Sequence, residues 1–171
     1  MTAPIRVLTV DDEPLARERV STLVRETGGL ELIGEANNGI EALDLITRLE
    51  PDLIFIDVEM PELSGFGVIA ALDAARVPAV VFITAFERYA LQAFEVGAVD
   101  YLQKPVTKQR FAAAVERARE RLNRRSPEAW QARRKPSAHG APGRGSSLGA
   151  ATRTTWCRPT RSTGWTWPTT I

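Results

Sequence analysis

Asp11, Asp12, Asp57, Thr84 and Lys104 each stand where an apolar, largely β-branched stretch breaks off. Three carboxylates gathered in one cleft repel one another unless a divalent cation offsets them. Hard oxygen ligands that leave positions for water suit Mg²⁺, or Mn²⁺ in its place, at about 2.0–2.1 Å. With a cation there, Asp57 is the candidate nucleophile toward phosphorus, and its product would be an aspartyl phosphate. Lys104 brings a point positive charge and Thr84 a hydroxyl, each suited to holding a phosphoryl oxygen. Plainer readings exist for every one of them. Asp11 and Asp12 could be acids at a helix N-terminus, Asp57 a strand-terminating turn residue, Thr84 a strand-end hydroxyl and Lys104 a solvated loop lysine. Their joint occurrence at strand ends is the argument for chemistry.

That argument requires a fold that brings the strand ends together. Leu53-Ile54-Phe55-Ile56 running into Asp57 reads as a strand buried on both faces. Arg6 to Val10 reads as a β-branched strand that runs straight into Asp11-Asp12-Glu13, and Pro14 suits the first turn of the helix that follows. That helix puts Ala16, Val20, Leu23 and Val24 inward and ends at Gly28-Gly29. Leu30 to Glu35 forms the second strand, and a helix with Ile40, Leu43, Ile46 and Leu49 inward runs to Pro51. After Asp57 come a helix through Val68, Ile69 and Leu72, a strand from Ala79 to Ile83, and a helix carrying Tyr89, Leu91 and Phe94 that stops at Gly97. A brief strand near Val99 to Gln103 and a helix presenting Phe111, Val115, Ala118 and Leu122 complete five βα units. The predicted fold is α/β: a doubly wound, five-stranded parallel sheet with helices on both faces. In the flavodoxin-like order 2-1-3-4-5 the first and third strands are neighbours, and their carboxylates meet at the switch point.

Bulk properties set the boundaries. Across 171 residues, 44% hydrophobic and 25% charged content fits a globular domain with an appendage. The net charge of +1 averages unlike halves: after Asn123 only Glu128 opposes nine arginines and lysines. A domain over residues 1–123 and a basic Pro/Gly/Ser/Thr/Arg-rich tail over 124–171, expected to be disordered, follow from that shift. Cys157 is the sole cysteine, which fits a reducing, cytoplasmic setting. No apolar run approaches the roughly 20 residues of a membrane span.

Val10-Asp11-Asp12-Glu13-Pro14, Phe55-Ile56-Asp57-Val58-Glu59-Met60-Pro61, Thr84-Ala85 and Asp100-Tyr101-Leu102-Gln103-Lys104-Pro105 together resemble the signature of bacterial response-regulator receiver domains. The resemblance covers about Ile5 to Arg121 and implies that Asp57 accepts phosphate from a sensor histidine kinase. It implies that Asp12 and Asp57 bind Mg²⁺ directly, Asp11 through water, and that the Glu59 main-chain carbonyl completes the site. It further implies a cis Lys104-Pro105 bond, a Thr84 and Tyr101 switch, and a homodimer formed on phosphorylation through the fourth helix, fifth strand and fifth helix. The stretch from Phe86 to Tyr101 is similar to receivers of the LytR/AlgR class, whose output is a C-terminal LytTR DNA-binding domain.

No such domain follows in the printed frame. The tail holds all four tryptophans, Trp130, Trp156, Trp165 and Trp167, among basic residues, a composition that also suits a nucleic-acid-binding arm. Starting each codon of Arg161 to Ile171 at the third base permits Ile-Asp-Trp-Met-Asp-Val-Ala-Asp-Asp-Tyr, which resembles the opening of a LytTR domain. A frameshifted output domain is therefore expected, with DNA as partner only where that domain is intact. A different class also fits Asp57: phosphohydrolases of the haloacid dehalogenase type use a strand-end Asp nucleophile with an acid two residues on. Glu59 occupies that place, although Asp is usual there.

Overall fold

The structure is a computed structural model and describes residues 3–73 and 77–124, all within the first of the two units into which the chain divides, Met1–Pro136. The tail readings, including the four tryptophans, lie outside the described residues. Five strands, β1 (Ile5–Val10), β2 (Leu30–Ala36), β3 (Leu53–Asp57), β4 (Ala79–Thr84) and β5 (Asp100–Gln103), form one parallel sheet in the order β2-β1-β3-β4-β5. The helices are α1 (Pro14–Glu26), α2 (Gly39–Leu49), α3 (Gly65–Ala71), α4 (Ala90–Glu95) and α5 (Lys108–Arg124), with a 3₁₀ turn at Glu87–Tyr89 leading into α4.

Alternation along the central strands sorts the core into two layers, because successive side chains leave opposite faces of a sheet. Val7, Leu53, Phe55, Val81, Ile83 and Leu102 pack against Val20, Leu23 and Val24 of α1 and Phe111, Val115, Ala118 and Leu122 of α5. Phe55 and Phe111 stack with ring centroids 4.9 Å apart. On the other face Leu8, Val10, Ile54, Ile56, Val80 and Phe82 meet Ala42 and Ile46 of α2, Val68 and Ile69 of α3, and Ala93 of α4. Both faces of β3 and β4 are thus buried, the reason those strands read as unbroken apolar runs. Among the described residues no helix is long and apolar enough to cross a membrane.

Local chemistry fixes the helix ends. The Asn38 side chain accepts from Glu41 N at 2.8 Å and caps α2, a contact of about 1 kcal/mol. Glu50, not Pro51 itself, closes that helix, in the left-handed region at φ 45°. Helix α1 stops at Glu26 with Thr27 as cap, two residues short of the Gly28-Gly29 pair, and Gly29 makes the reversal at φ 79°.

Three expected core positions differ. Ile40 is exposed and Ala42 is buried in its stead, because the inward stripe of α2 begins at Gly39, whose Cα lies against Leu63. Leu91 and Phe94 are 77% and 82% exposed, and only Ala93 of the short α4 is buried. Two turns of helix over a sheet edge bury one narrow stripe, and those large residues fall outside it.

Candidate functional site

The register of β1 on β3 pairs Val10 with Ile56, so Asp11 and Asp57 come next on adjacent strands at the same sheet edge. Asp57 in turn pairs with Ile83, which places Thr84 one residue beyond it. Carboxylate oxygens of Asp11, Asp12 and Asp57 all lie within 4.8 Å of one another. Asp11 and Asp57 are buried and Asp12 is exposed, so the cluster opens to solvent on the Asp12 side.

Lys104 reaches this cluster from the end of β5. Its Nζ donates to Asp57 Oδ2 at 2.6 Å, lies 2.9 Å from Asp11 Oδ2 and 3.7 Å from Glu13 Oε2. Its backbone N–H donates to Thr84 O at 2.9 Å, tying β5 to β4 at this edge, and the Lys104-Pro105 bond is cis. Asp11 serves two purposes: Oδ1 accepts from Glu13 N at 2.9 Å and shapes the entry to α1, while Oδ2 faces the lysine. The loop reading of Lys104 and the purely capping reading of Asp11 are thereby excluded.

Burial pushes the Asp57 carboxyl above its ordinary value, outweighing the opposing hydrogen bond and charge of Lys104, and the Asp11 charge adds to the rise. Burial acts to lower the Lys104 ammonium, but its hydrogen bonds to Asp57 and Asp11 carry it upward instead. The two directions pull apart on how firmly the pair is ionised. Lys104 stays charged, while Asp57 is the group whose ionisation the fold resists, chiefly because it is buried and secondarily because the Asp11 charge lies beside it. A divalent cation would relieve that resistance. The donor set fits Mg²⁺: every candidate ligand atom is a hard oxygen, and the exposed side leaves room for water. Adding Mg²⁺ to about 100 times its Kd is expected to stabilise the protein by ~2.7 kcal/mol, read as a melting shift of several degrees that EDTA reverses.

Around Asp57, Glu59 N donates to Asp57 Oδ1 at 3.1 Å, and Thr84 Oγ1 accepts from Phe86 N at 3.4 Å. Tyr101 is half-buried, and its hydroxyl donates to Phe86 O. Thr84 and Tyr101 therefore hold the same residue of the β4–α4 connection. The sequence did not signal a further group: the Glu59 carboxylate is bound by Arg88 Nη2 at 2.6 Å and by the Tyr89 hydroxyl at 2.7 Å. The Tyr89 hydrogen bond, the largest influence, holds that carboxyl below its ordinary value; burial opposes it, and the hydrogen bond and charge of Arg88 tip the balance further down.

The family model for the response regulator receiver domain matches residues 7–116. The chain belongs to this family. A response regulatory protein of Vibrio cholerae is 48% identical over 113 residues, which is 66% of this chain and 48% of that protein. The transcriptional regulatory protein BtsR of Escherichia coli is 40% identical over 132 residues, 75% of this chain and 55% of that protein. The chain thus spans about half the length of these curated relatives. Among solved structures, the response regulatory domain of mrkE from Klebsiella pneumoniae matches with TM-score 0.63 and 29% identity over 70% of this chain and 99% of that one. The REC domain of AraT, a response regulator from Geobacillus stearothermophilus, matches with TM-score 0.61 and 30% identity over 70% and 96%. The haloacid dehalogenase alternative finds no support beside this receiver match, and Glu59, its would-be acid/base, is engaged by Arg88 and Tyr89.

Proposed function

We propose that this receiver takes a phosphoryl group onto Asp57 from a sensor histidine kinase and acts as the switch of a two-component regulator. The observation that carries the reading is Lys104 Nζ within 2.6 Å of Asp57 and 2.9 Å of Asp11, at the mouth of the acidic cluster. An Asp57 carboxylate oxygen attacks phosphorus as the P–N bond to the kinase histidine breaks. Lys104 and the Thr84 hydroxyl hold the equatorial oxygens as charge builds on them. Asp12, Asp57 and the Glu59 main-chain carbonyl would hold Mg²⁺, with Asp11 acting through water, and the cation would neutralise charge on donor and acceptor oxygens. The protein is a phosphoacceptor, modified once per cycle, and its own part in catalysis is self-phosphorylation and slow loss of the phosphate.

The switch follows from the shared hold on Phe86. A Thr84 hydroxyl turned to a phosphoryl oxygen gives up the Phe86 N–H, and Tyr101 can then leave Phe86 O and move inward. The exposed Leu91 and Phe94 support dimer formation through α4, β5 and α5. The BtsR relatives and the Phe86 to Tyr101 segment support a transcriptional, LytR/AlgR-class output. Residues 1–123 then form the receiver, and 124–171 stand where a LytTR domain, the DNA-binding part, has passed out of frame.

Incubation with acetyl phosphate and Mg²⁺ tests the site. The expected result is at most one phosphoryl group per chain, labile to hydroxylamine as an acyl phosphate and absent with EDTA. Repeated turnover of acetyl phosphate without stable label would instead mark a hydrolase and overturn the reading.

A further inference from the structure

Next to the acidic cluster lies a second polar group that phosphoryl transfer itself does not use. Glu59 follows Asp57 by two residues, and its backbone N–H already touches the acceptor carboxylate. Its side chain is bound by Arg88 and Tyr89 of the turn before α4, and its carboxylate stands outside the close group of Asp11, Asp12 and Asp57 oxygens. Arg88 is itself fixed in place: it donates to the Tyr89 hydroxyl oxygen at 3.0 Å, and its guanidinium sits 4.6 Å from the Phe86 ring centroid and 4.8 Å from that of Tyr89. The ion pair is 63% and 40% exposed, so it does little for folding stability. An arrangement held by several contacts yet of small energetic worth, two residues from Asp57, calls for a reason in that site.

Resting on the reading of Asp57 as phosphoacceptor, we propose that Arg88 and Tyr89 are positioning residues that hold the Glu59 carboxylate off the mouth above Asp57. Phosphoryl donors are anions, and the mouth already carries the carboxylates of Asp11, Asp12, Asp57 and Glu13 against one lysine. A loose Glu59 side chain, so near the acceptor in the chain, would bring another negative charge to the approach path and slow the encounter. The Arg88 and Tyr89 contacts remove that charge twice over, by pulling it sideways and by neutralising it.

Phosphorylation by acetyl phosphate at saturating Mg²⁺ and low ionic strength is the test. Arg88→Gln is expected to lower the rate on the order of threefold to tenfold, and Tyr89→Phe by less, with both deficits shrinking as salt is added. In a Glu59→Gln background the same two substitutions are expected to leave the rate within about 1.5-fold of that background, since no misplaced charge remains. Equal slowing with and without the Glu59 carboxylate overturns the proposal, as does an unchanged rate in Arg88→Gln. Tyr89→Phe removes one hydroxyl alone and keeps the test decisive should Arg88→Gln disturb the turn. A wild-type chain that takes no label overturns the acceptor reading and this inference together, whereas a labelled wild type with unaltered variants overturns this inference only.

Discussion

Asp57→Asn is expected to take no label from acetyl phosphate and yet to melt higher than wild type in metal-free buffer at neutral pH. Loss of label follows from loss of the attacking oxygen, and a fall of at least about a hundredfold is expected because the amide that replaces it at the end of β3 is no nucleophile toward phosphorus. The gain in stability follows from the sign of the Asp57 shift. Its carboxyl is raised in the folded protein, chiefly by burial. Between the ordinary value and the raised one the folded form therefore binds more protons than the unfolded, and stability falls as pH climbs through that window. A neutral amide removes the penalty. Lys104 retains Asp11 at 2.9 Å, so the ammonium is not stranded. Melting curves at neutral pH and below the ordinary aspartate range check this: the advantage of Asn should be largest at neutral pH and fade in acid. The Mg²⁺-dependent rise in melting temperature should shrink in the same variant. A variant that labels like wild type would displace Asp57 from the centre of the account.

Gly65→Ala is expected to damage the site from behind. A Cβ built on Gly65 would lie 2.3 Å from the Asp57 carbonyl oxygen and 3.3 Å from Ile56 Cγ1. The obstacle is backbone at the end of β3, which cannot rotate away as a side chain would. Gly65 N also donates to Val58 O at 3.0 Å, and Ser64 caps α3 by accepting from Gly67 N at 3.2 Å, so the helix start is held from both sides. Either α3 withdraws or the strand end carrying Asp57 shifts. A cost of about 2–3 kcal/mol is expected, near 10 °C in melting temperature for a domain of this size. Phosphorylation should fall as well, even at temperatures where the variant is fully folded, because a displacement under an ångström at Asp57 spoils its alignment with Lys104. Wild-type stability and labelling in Gly65→Ala would mean that the α3 entrance yields freely.

Such effects explain what was legible in the chain before its fold was seen. Asp11, Asp57, Thr84 and Lys104 could be located because each interrupts an apolar stretch, and a doubly wound parallel sheet sends every such interruption to one edge. The two core layers were legible for the same reason, since buried strands declare themselves by unbroken apolar runs. Ile40, Leu91 and Phe94 misled because hydrophobicity predicts burial only where a partner surface exists, and a short helix at a sheet edge has little. The Glu59, Arg88 and Tyr89 group gave no signal: it joins two loops 29 residues apart through side chains of ordinary surface type. Gly65 was equally silent, as a glycine required for close approach looks the same in sequence as one that merely turns the chain.

The length of α5 bears on where this protein can be divided. The family match closes at residue 116, yet Ala118 and Leu122 still lie in the layer beneath Phe55. A fragment trimmed to the family boundary would leave an apolar furrow open to water along α1 and the sheet. Any transplant of this receiver onto a foreign effector should carry the helix through Arg124, and the joint belongs beyond that last turn.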